Sequence, residues 1–286
     1  MAGRAAGAKF GGHAGRGRGG RIREEAGIAT NLTSTIRDLK RRQARGRRGL
    51  ALVEGVRLVE EALAAGIRVV GAAVAPELAR TTRGTELRVQ LESHAVPVQD
   101  VSTVVLRQLA DTETPQGIVA VVEPRHWTPE DAPLATSATL LVVDGVQDPG
   151  NVGTLLRTAH ALGARASIVL RGTADVWGPK ALRAAMGATF RHPILSFDDA
   201  AFIAWARRHD VTLWATAADG EPLPRALTRR GSETIAVIVG NEGAGIRPHL
   251  NAIAARRVAI PLAQGAESLN VAVAAGILLY EVTRGR

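Results

Sequence analysis

Between residues 138 and 286 the chain returns five times to short runs rich in Val, Leu, Ile and Ala. They fall at 139–143 (TLLVV), 166–170 (ASIVL), 211–216 (VTLWAT), 234–239 (TIAVIV) and 256–260 (RRVAI). Helix-patterned stretches separate them, at 152–162, 179–186, 198–208 and 268–283. Runs this short cannot be amphipathic helices, and their lack of alternation means both faces are buried. Together they predict a parallel sheet covered by helices on each side. Only 3% of residues are aromatic although 46% are hydrophobic, so the core must be aliphatic. Ligands of such sheets sit beyond the carboxyl ends of the strands, which makes the loops after these runs the first places to search for a site.

Three of those loops are unusual. The first is DGVQDPGNVGTLLRTAHALGA (144–164). Asn151 suits an N-cap, and Arg157 then lies about one and a half turns into an otherwise apolar helix. Taken alone, Arg157 reads first as a surface charge that snorkels or pairs with an aspartate, and only second as a functional cation. The second is VIVGNEGAGI (237–246), where an apolar strand runs into Gly240, Asn241, Glu242 and Gly243. Glycine permits positive φ and close approach of a ligand to the backbone. The third is VAIPLAQGAESLNVAVAAGILLYE (258–281). A strand ends at Ile260, and Glu267, Ser268 and Asn270 open a helix with almost no polar face. Such a helix is buried, often at a subunit contact. Ser268 there is either a cap or part of a site.

Upstream, residues 28–125 alternate basic helix (TSTIRDLKRRQARGRRG), strand, helix and strand, a smaller α/β unit. Residues 126–137, rich in Pro and polar side chains, read as a linker to the second unit, 138–286. Residues 1–27 are Gly/Ala/Arg low complexity and read as a disordered tail. The first 50 residues hold 13 basic and 3 acidic side chains, while the rest hold 23 and 24. The net charge of +9 is therefore an N-terminal property, either a phosphate-seeking arm or a solubilising one.

Several chemistries are excluded. There is no cysteine, hence no disulfide, thiolate metal site or Cys nucleophile. The seven histidines have no metal-ligand spacing, so no metal site is expected. GRGRGG (15–20) matches a dinucleotide fingerprint by letter, but no strand precedes it. No G-x-S-x-G and no P-loop are present. No apolar run approaches the ~18 residues that span a bilayer, and no secretory core opens the chain. A cytoplasmic protein is expected.

Taken together and in this order, Asn151-x-Gly153 with Arg157, Gly240-Asn241-Glu242-Gly243 and Ser268-Leu269-Asn270-Val271 resemble the motifs of the SpoU/TrmH family of the SPOUT superfamily. The stretch VEGVRLVEEALAAG (53–66) is similar to a signature of that family's substrate-binding domain. The resemblance implies an S-adenosylmethionine-dependent RNA ribose 2′-O-methyltransferase. It implies a C-terminal parallel-sheet domain with a trefoil knot, a ribosomal-protein-like α/β RNA-binding domain before it, and a homodimer. It implies that Gly240, Ile260 and Leu269 contact the cofactor. It makes Arg157 the catalytic arginine, with Asn151, Glu242, Ser268 and Asn270 orienting ribose and arginine. Large-subunit ribosomal RNA is the expected substrate, with a uridine target and ribosome protection in an antibiotic producer among the readings, and tRNA as the alternative. From other classes, a non-catalytic RNA-binding protein on the same fold would not need the full polar set. A nucleotide-dependent oxidoreductase would need G-x-G-x-x-G after the first strand, where DGVQDPGNVG stands.

Overall fold

The computed structural model describes residues 31–131, 134, 137–228 and 231–284. The expected tail, 1–27, lies outside them, as do four residues of the expected linker. The first unit comprises α1 (Leu32–Leu39), α2 (Arg42–Arg48), β1 (Ala51–Glu54), α3 (Val56–Ala64), β2 (Val69–Val74), α4 (Thr82–Ser93), β3 (Val98–Asp100), α5 (Thr103–Leu109) and β4 (Ile118–Val122). Its sheet has the order β1-β4-β2-β3, with β4 antiparallel to both neighbours and β2–β3 parallel.

The predicted single basic helix is two helices. Arg41 is extended between them, because buried Arg45 turns back and donates to the carbonyls of Leu39 and Lys40, both at 2.9 Å. Those bonds close the end of α1, which a continuous helix would not permit.

The second unit holds β5 (Thr139–Asp144), α6 (Pro149–Ala161), β6 (Ala166–Val169), α7 (Pro179–Ala185), α8 (Ala188–Arg191), β7 (Ile194–Ser196), α9 (Asp199–Arg208), β8 (Thr212–Pro222), α10 (Leu223–Thr228), β9 (Ile235–Gly240), α11 (Pro248–Ile253), β10 (Arg256–Ala259) and α12 (Val271–Arg284). The sheet is wholly parallel, in the order β10-β8-β9-β5-β6-β7. Every residue of central β5 and β9 is buried, as their apolar runs require. Two aliphatic clusters lie on the two faces, one under α6 and α12, the other under α9 and α11. The three-residue edge strand β7 has no sequence signal of its own. β8 runs past the predicted end at 216 to Pro222, and β10 pairs with both of its halves across a register shift at Arg257/Val258.

The two units share a packed boundary. Leu182 and Phe190 of the second unit belong to the core of the first. Arg45–Asp175, Arg183–Asp111 and Arg191–Glu61, each at 2.6 Å, tie across it.

Beside that boundary, His192 is 1% exposed and its Nε2 lies 2.9 Å from the Ser167 hydroxyl. Burial, with the neighbouring His160 second, depresses its pKa from 6.5 to about 4. The imidazole is therefore neutral in the folded protein but binds a proton in the unfolded chain below pH 6.5. Stability contributed by this group is complete above about pH 6.5 and is lost as pH falls toward 4, about 2–3 kcal/mol by pH 4.5. His192→Gln removes that titration. Urea unfolding at pH 7.5 and 4.5 should show a smaller acid loss in the variant by that amount, and equal losses would disprove the assignment.

Candidate active site

Asp148, at the end of the first loop, caps α6. Its Oδ1 accepts from the Asn151 backbone N–H at 2.9 Å, and Pro149 fills the first helical position. The helix thus starts two residues before Asn151, with its cap at Asp148, which corrects the reading of Asn151 as the cap. The Asn151 side chain, released from that duty, points elsewhere: its Nδ2 donates to Glu242 Oε1 at 3.0 Å.

α12, by contrast, starts later than predicted, at Val271. Asn270 Oδ1 accepts from the N–H groups of Ala272 (2.9 Å) and Val273 (3.3 Å). Asn270 is the cap, and Ser268 lies in the preceding loop with no hydrogen bond among the described residues. The second end of the Asn270 amide donates from Nδ2 to Asn151 Oδ1 at 3.0 Å. A single directed chain results: helix N–H to Asn270, Asn270 to Asn151, Asn151 to Glu242. It ties the loops after β5, β9 and β10 together. Each amide is donor on one side and acceptor on the other, so neither can flip without losing bonds on both.

Glu242 receives two further contacts, from the Gln147 N–H at 3.4 Å and the Asn241 side chain at 3.5 Å. Burial would raise the Glu242 carboxyl, but the hydrogen bonds from Asn151 and from backbone N–H groups outweigh it and hold the pKa below the ordinary value. Glu242 is an ionised acceptor at neutral pH and a weak base. It serves to anchor Asn151.

Glu242 and Asn270 stand at the mouth of a cleft of about 460 Å³. Its walls are the middle of β8 at 216–218, the turn 239–246, the strand end Val258–Ile260, Leu262 and the segment 267–271. Gly240, Ile260, Ser268 and Leu269 all line it, as predicted site residues; Asn151 joins it through its two partners. The turn itself is held by paired backbone bonds between Asn241 and Gly245, 3.0 and 2.9 Å, and by Asn241 Oδ1, which accepts from Gly243 and Ala244 N–H. Below it, buried Asp144 accepts from the Arg247 N–H (2.8 Å) and Nε (2.6 Å), and Arg247 forks onto Asp199 at 2.7 and 2.8 Å. In the sequence Asp144 and Asp148 stand out only as acidic residues of the first loop, with no role attached, and Arg247 does not stand out at all. An Asp immediately before a Pro at the start of a helical pattern is the signal that would have found Asp148. Nothing local marks Arg247.

Arg157 stands apart from the chain of amides. It is exposed on α6, about 9 Å of helix rise beyond Asn151, does not line the cleft, and makes no hydrogen bond or ion pair among the described residues. It borders the place where α6 meets α12, since adjacent Thr158 faces Gly276. On α12, Val273 (51% exposed), Ile277 (38%) and Tyr280 (49%) form an apolar stripe, with Leu269 (38%) near its start. The helix expected to be buried is thus half-buried in a single chain.

Residues 138–280 match the SpoU rRNA Methylase family, and residues 34–120 match the MRM3-like substrate binding domain. The chain belongs to the SpoU family. It is 36% identical over 258 residues to the 23S rRNA (guanosine(2553)-2′-O)-methyltransferase RlmP of Bacillus subtilis, covering 89% of this chain and 98% of that one. Among solved structures, the AdoMet-bound rRNA methyltransferase from Sinorhizobium meliloti superposes with a TM-score of 0.78 at 30% identity, over 90% of this chain and 95% of that one. The SpoU methyltransferase AviRb from Streptomyces viridochromogenes, in complex with AdoMet, gives 0.77 at 28% identity, over 89% and 97%. The α/β fold with a substrate-binding domain before a SpoU domain is therefore common to this chain and these enzymes.

The SpoU cleft suits a nucleoside-sized ligand. Its volume is in the range of small-molecule sites, its walls are apolar at Ile260, Leu262 and Leu269, and its polar groups gather at the mouth. At Gly240 an added Cβ would lie 2.2 Å from the Gly245 carbonyl carbon, so the turn closes there on bare backbone. Among the described residues no cluster of His, Asp or Glu could hold a metal, and no helix is long and apolar enough to cross a membrane.

Proposed function

We propose that this protein methylates the 2′-OH of a ribose in large-subunit ribosomal RNA, with S-adenosylmethionine as donor. One observation carries the reading: the Asn270–Asn151–Glu242 chain joins three strand-end loops at the mouth of an apolar cleft. The names of the relatives supply the substrate class. The backbone at Gly240, Ile260 and Leu269 would hold the adenosine of the cofactor, which when bound supplies an electrophilic methyl on a sulfonium centre.

A ribose hydroxyl is a poor nucleophile whose proton must leave as the oxygen attacks. The fixed amides of Asn151 and Asn270, with Ser268 beside them, are suited to orient the ribose, and positioning of this kind supplies much of such a barrier reduction. Arg157 supplies a permanent cation for the developing alkoxide or the adjacent phosphate. It lies outside the cleft of its own chain. We infer that two copies pair through the stripe on α12, the helix that packs against α6 beside Arg157 and lines the cleft at Ala274 and Leu278, so that Arg157 of one copy serves the cleft of the other. The trefoil knot that the family resemblance implies belongs to the same reading and would lie in the segments around the cleft, 239–246 and 258–271. Action in the cytoplasm follows from a ribosomal substrate.

Labelled S-adenosylmethionine and an unmodified transcript of large-subunit rRNA test this directly. Label should enter one nucleotide, mapped by primer extension at low deoxynucleotide concentration. Label in tRNA and none in rRNA would favour the tRNA reading, and label in the base would overturn ribose chemistry.

A further inference from the structure

A second cavity, of about 480 Å³, lies between the two units and is separate from the cofactor cleft. Arg42 and Arg45 of α2 and Asp111 form one wall. Residues 172–175 and the start of α7, through Lys180, form the other, and Gln147 and Pro149 close the end nearest the amide chain. Its charges are unequally matched. Asp175 is taken by Arg45, with bonds of 2.6 and 2.9 Å, and Asp111 by Arg183 at 2.6 Å. Lys180 holds Asp148 at 2.6 Å, but its side chain is 58% exposed. Exposed pairs of this kind contribute little, ~0–1 kcal/mol, so Lys180 can exchange partners. Arg42 is exposed and has no hydrogen bond or ion pair among the described residues. The cavity therefore offers one uncompensated guanidinium and one loosely held ammonium, one from each unit.

Its position gives those cations a purpose. The segment 147–151 links the two places: Gln147 and Pro149 line the cavity, while the Gln147 N–H and the Asn151 side chain contact Glu242, which lines the cleft, and Asp148 holds the Asn151 backbone. An anion seated here lies one loop away from the ribose site. A free small anion would need only one domain; a strand crossing from the substrate-binding domain toward the cleft must pass both walls. We propose that this cavity seats a backbone phosphate of the RNA next to the methylated nucleotide, gripped by Arg42 and by Lys180 after it leaves Asp148. The inference rests on the rRNA methyltransferase reading above.

Arg42→Gln, Lys180→Gln and the double variant test it with the unmodified rRNA transcript. Each single change should raise KM for RNA about 5–10-fold and the double change more than about 30-fold. The kcat value should stay within about twofold, and S-adenosylmethionine affinity should not change. The slope of log Kd for RNA against log salt should become shallower by up to ~0.7, the loss of one single-strand phosphate contact. Arg42→Lys should recover most of the affinity. Wild-type affinity and slope in the double variant would overturn the proposal, as would a loss confined to kcat with an unchanged slope. A wild-type protein that methylates no RNA would instead remove the function on which the cavity depends.

Discussion

Arg157→Ala is expected to lower methyl transfer to rRNA about 10²–10³-fold or more, with S-adenosylmethionine bound as before. The magnitude is that of removing one preorganised charge from a transition state, about 3–4 kcal/mol. The exposed side chain has no partner to leave behind, so the fold should not suffer; calorimetric titration of the cofactor and a single-turnover assay separate the two effects. Arg157→Lys should recover only part of the rate, because an ammonium cannot fork onto a phosphate. Wild-type turnover in Arg157→Ala would show that the chain uses some other cation. Mixed dimers sharpen the result. If Arg157 serves the partner's cleft, a subunit carrying Arg157→Ala mixed with one whose own cleft is disabled regains one working site. No recovery would place the arginine on its own subunit's substrate.

The disabled cleft can be made at Gly240. An added Cβ there would stand 2.2 Å from the Gly245 carbonyl carbon, 2.3 Å from the Ile246 nitrogen and 2.5 Å from the Gly245 oxygen. All three are backbone atoms of the same turn, so no side chain can swing away. Gly240→Val must open the Asn241–Gly245 pairing and tilt Glu242 away from Asn151. We expect S-adenosylmethionine affinity to fall by roughly 100-fold and stability by about 1–3 kcal/mol, the usual range for overpacking. Gly243→Ala is the control, since its nearest neighbour would be the Asn241 Oδ1 at 3.7 Å; affinity should barely move. Equal losses in both variants would mean that the turn tolerates no substitution at all and that the steric account of Gly240 is wrong.

Central strands declare themselves because burial on both faces leaves only aliphatic residues, and the polar-glycine loops stand out against them. What stayed hidden depends on choices between neighbours. Asp148 and Asn151 can both cap a helix, as can Ser268 and Asn270; the structure uses Asp148 and Asn270, and which one wins depends on where the rest of the network needs an amide. Arg157 looks central in sequence because it shares a helix with Asn151, yet helical geometry turns it out of its own cleft. The bonds at the domain boundary, such as Arg45 with Asp175 130 positions away, leave no local trace. Gly153 shows the converse. It belongs to the motif that carries the family resemblance, but its immediate role is packing: a Cβ there would lie 2.2 Å from the Ala181 carbonyl, so the residue lets α6 and α7 close together.

The composition of the cofactor cleft has one more consequence, for synthesis rather than catalysis. Its walls are drawn from 216–218, 239–246 and 258–278, none of which can enclose a ligand without the others. On a ribosome the substrate-binding domain emerges before any of these segments, and 258–278 emerges after the other two. Long-range contacts of this kind form slowly and late. A nascent chain can thus engage RNA well before it can hold a methyl donor, and donor binding marks a molecule whose C-terminal helix has already docked.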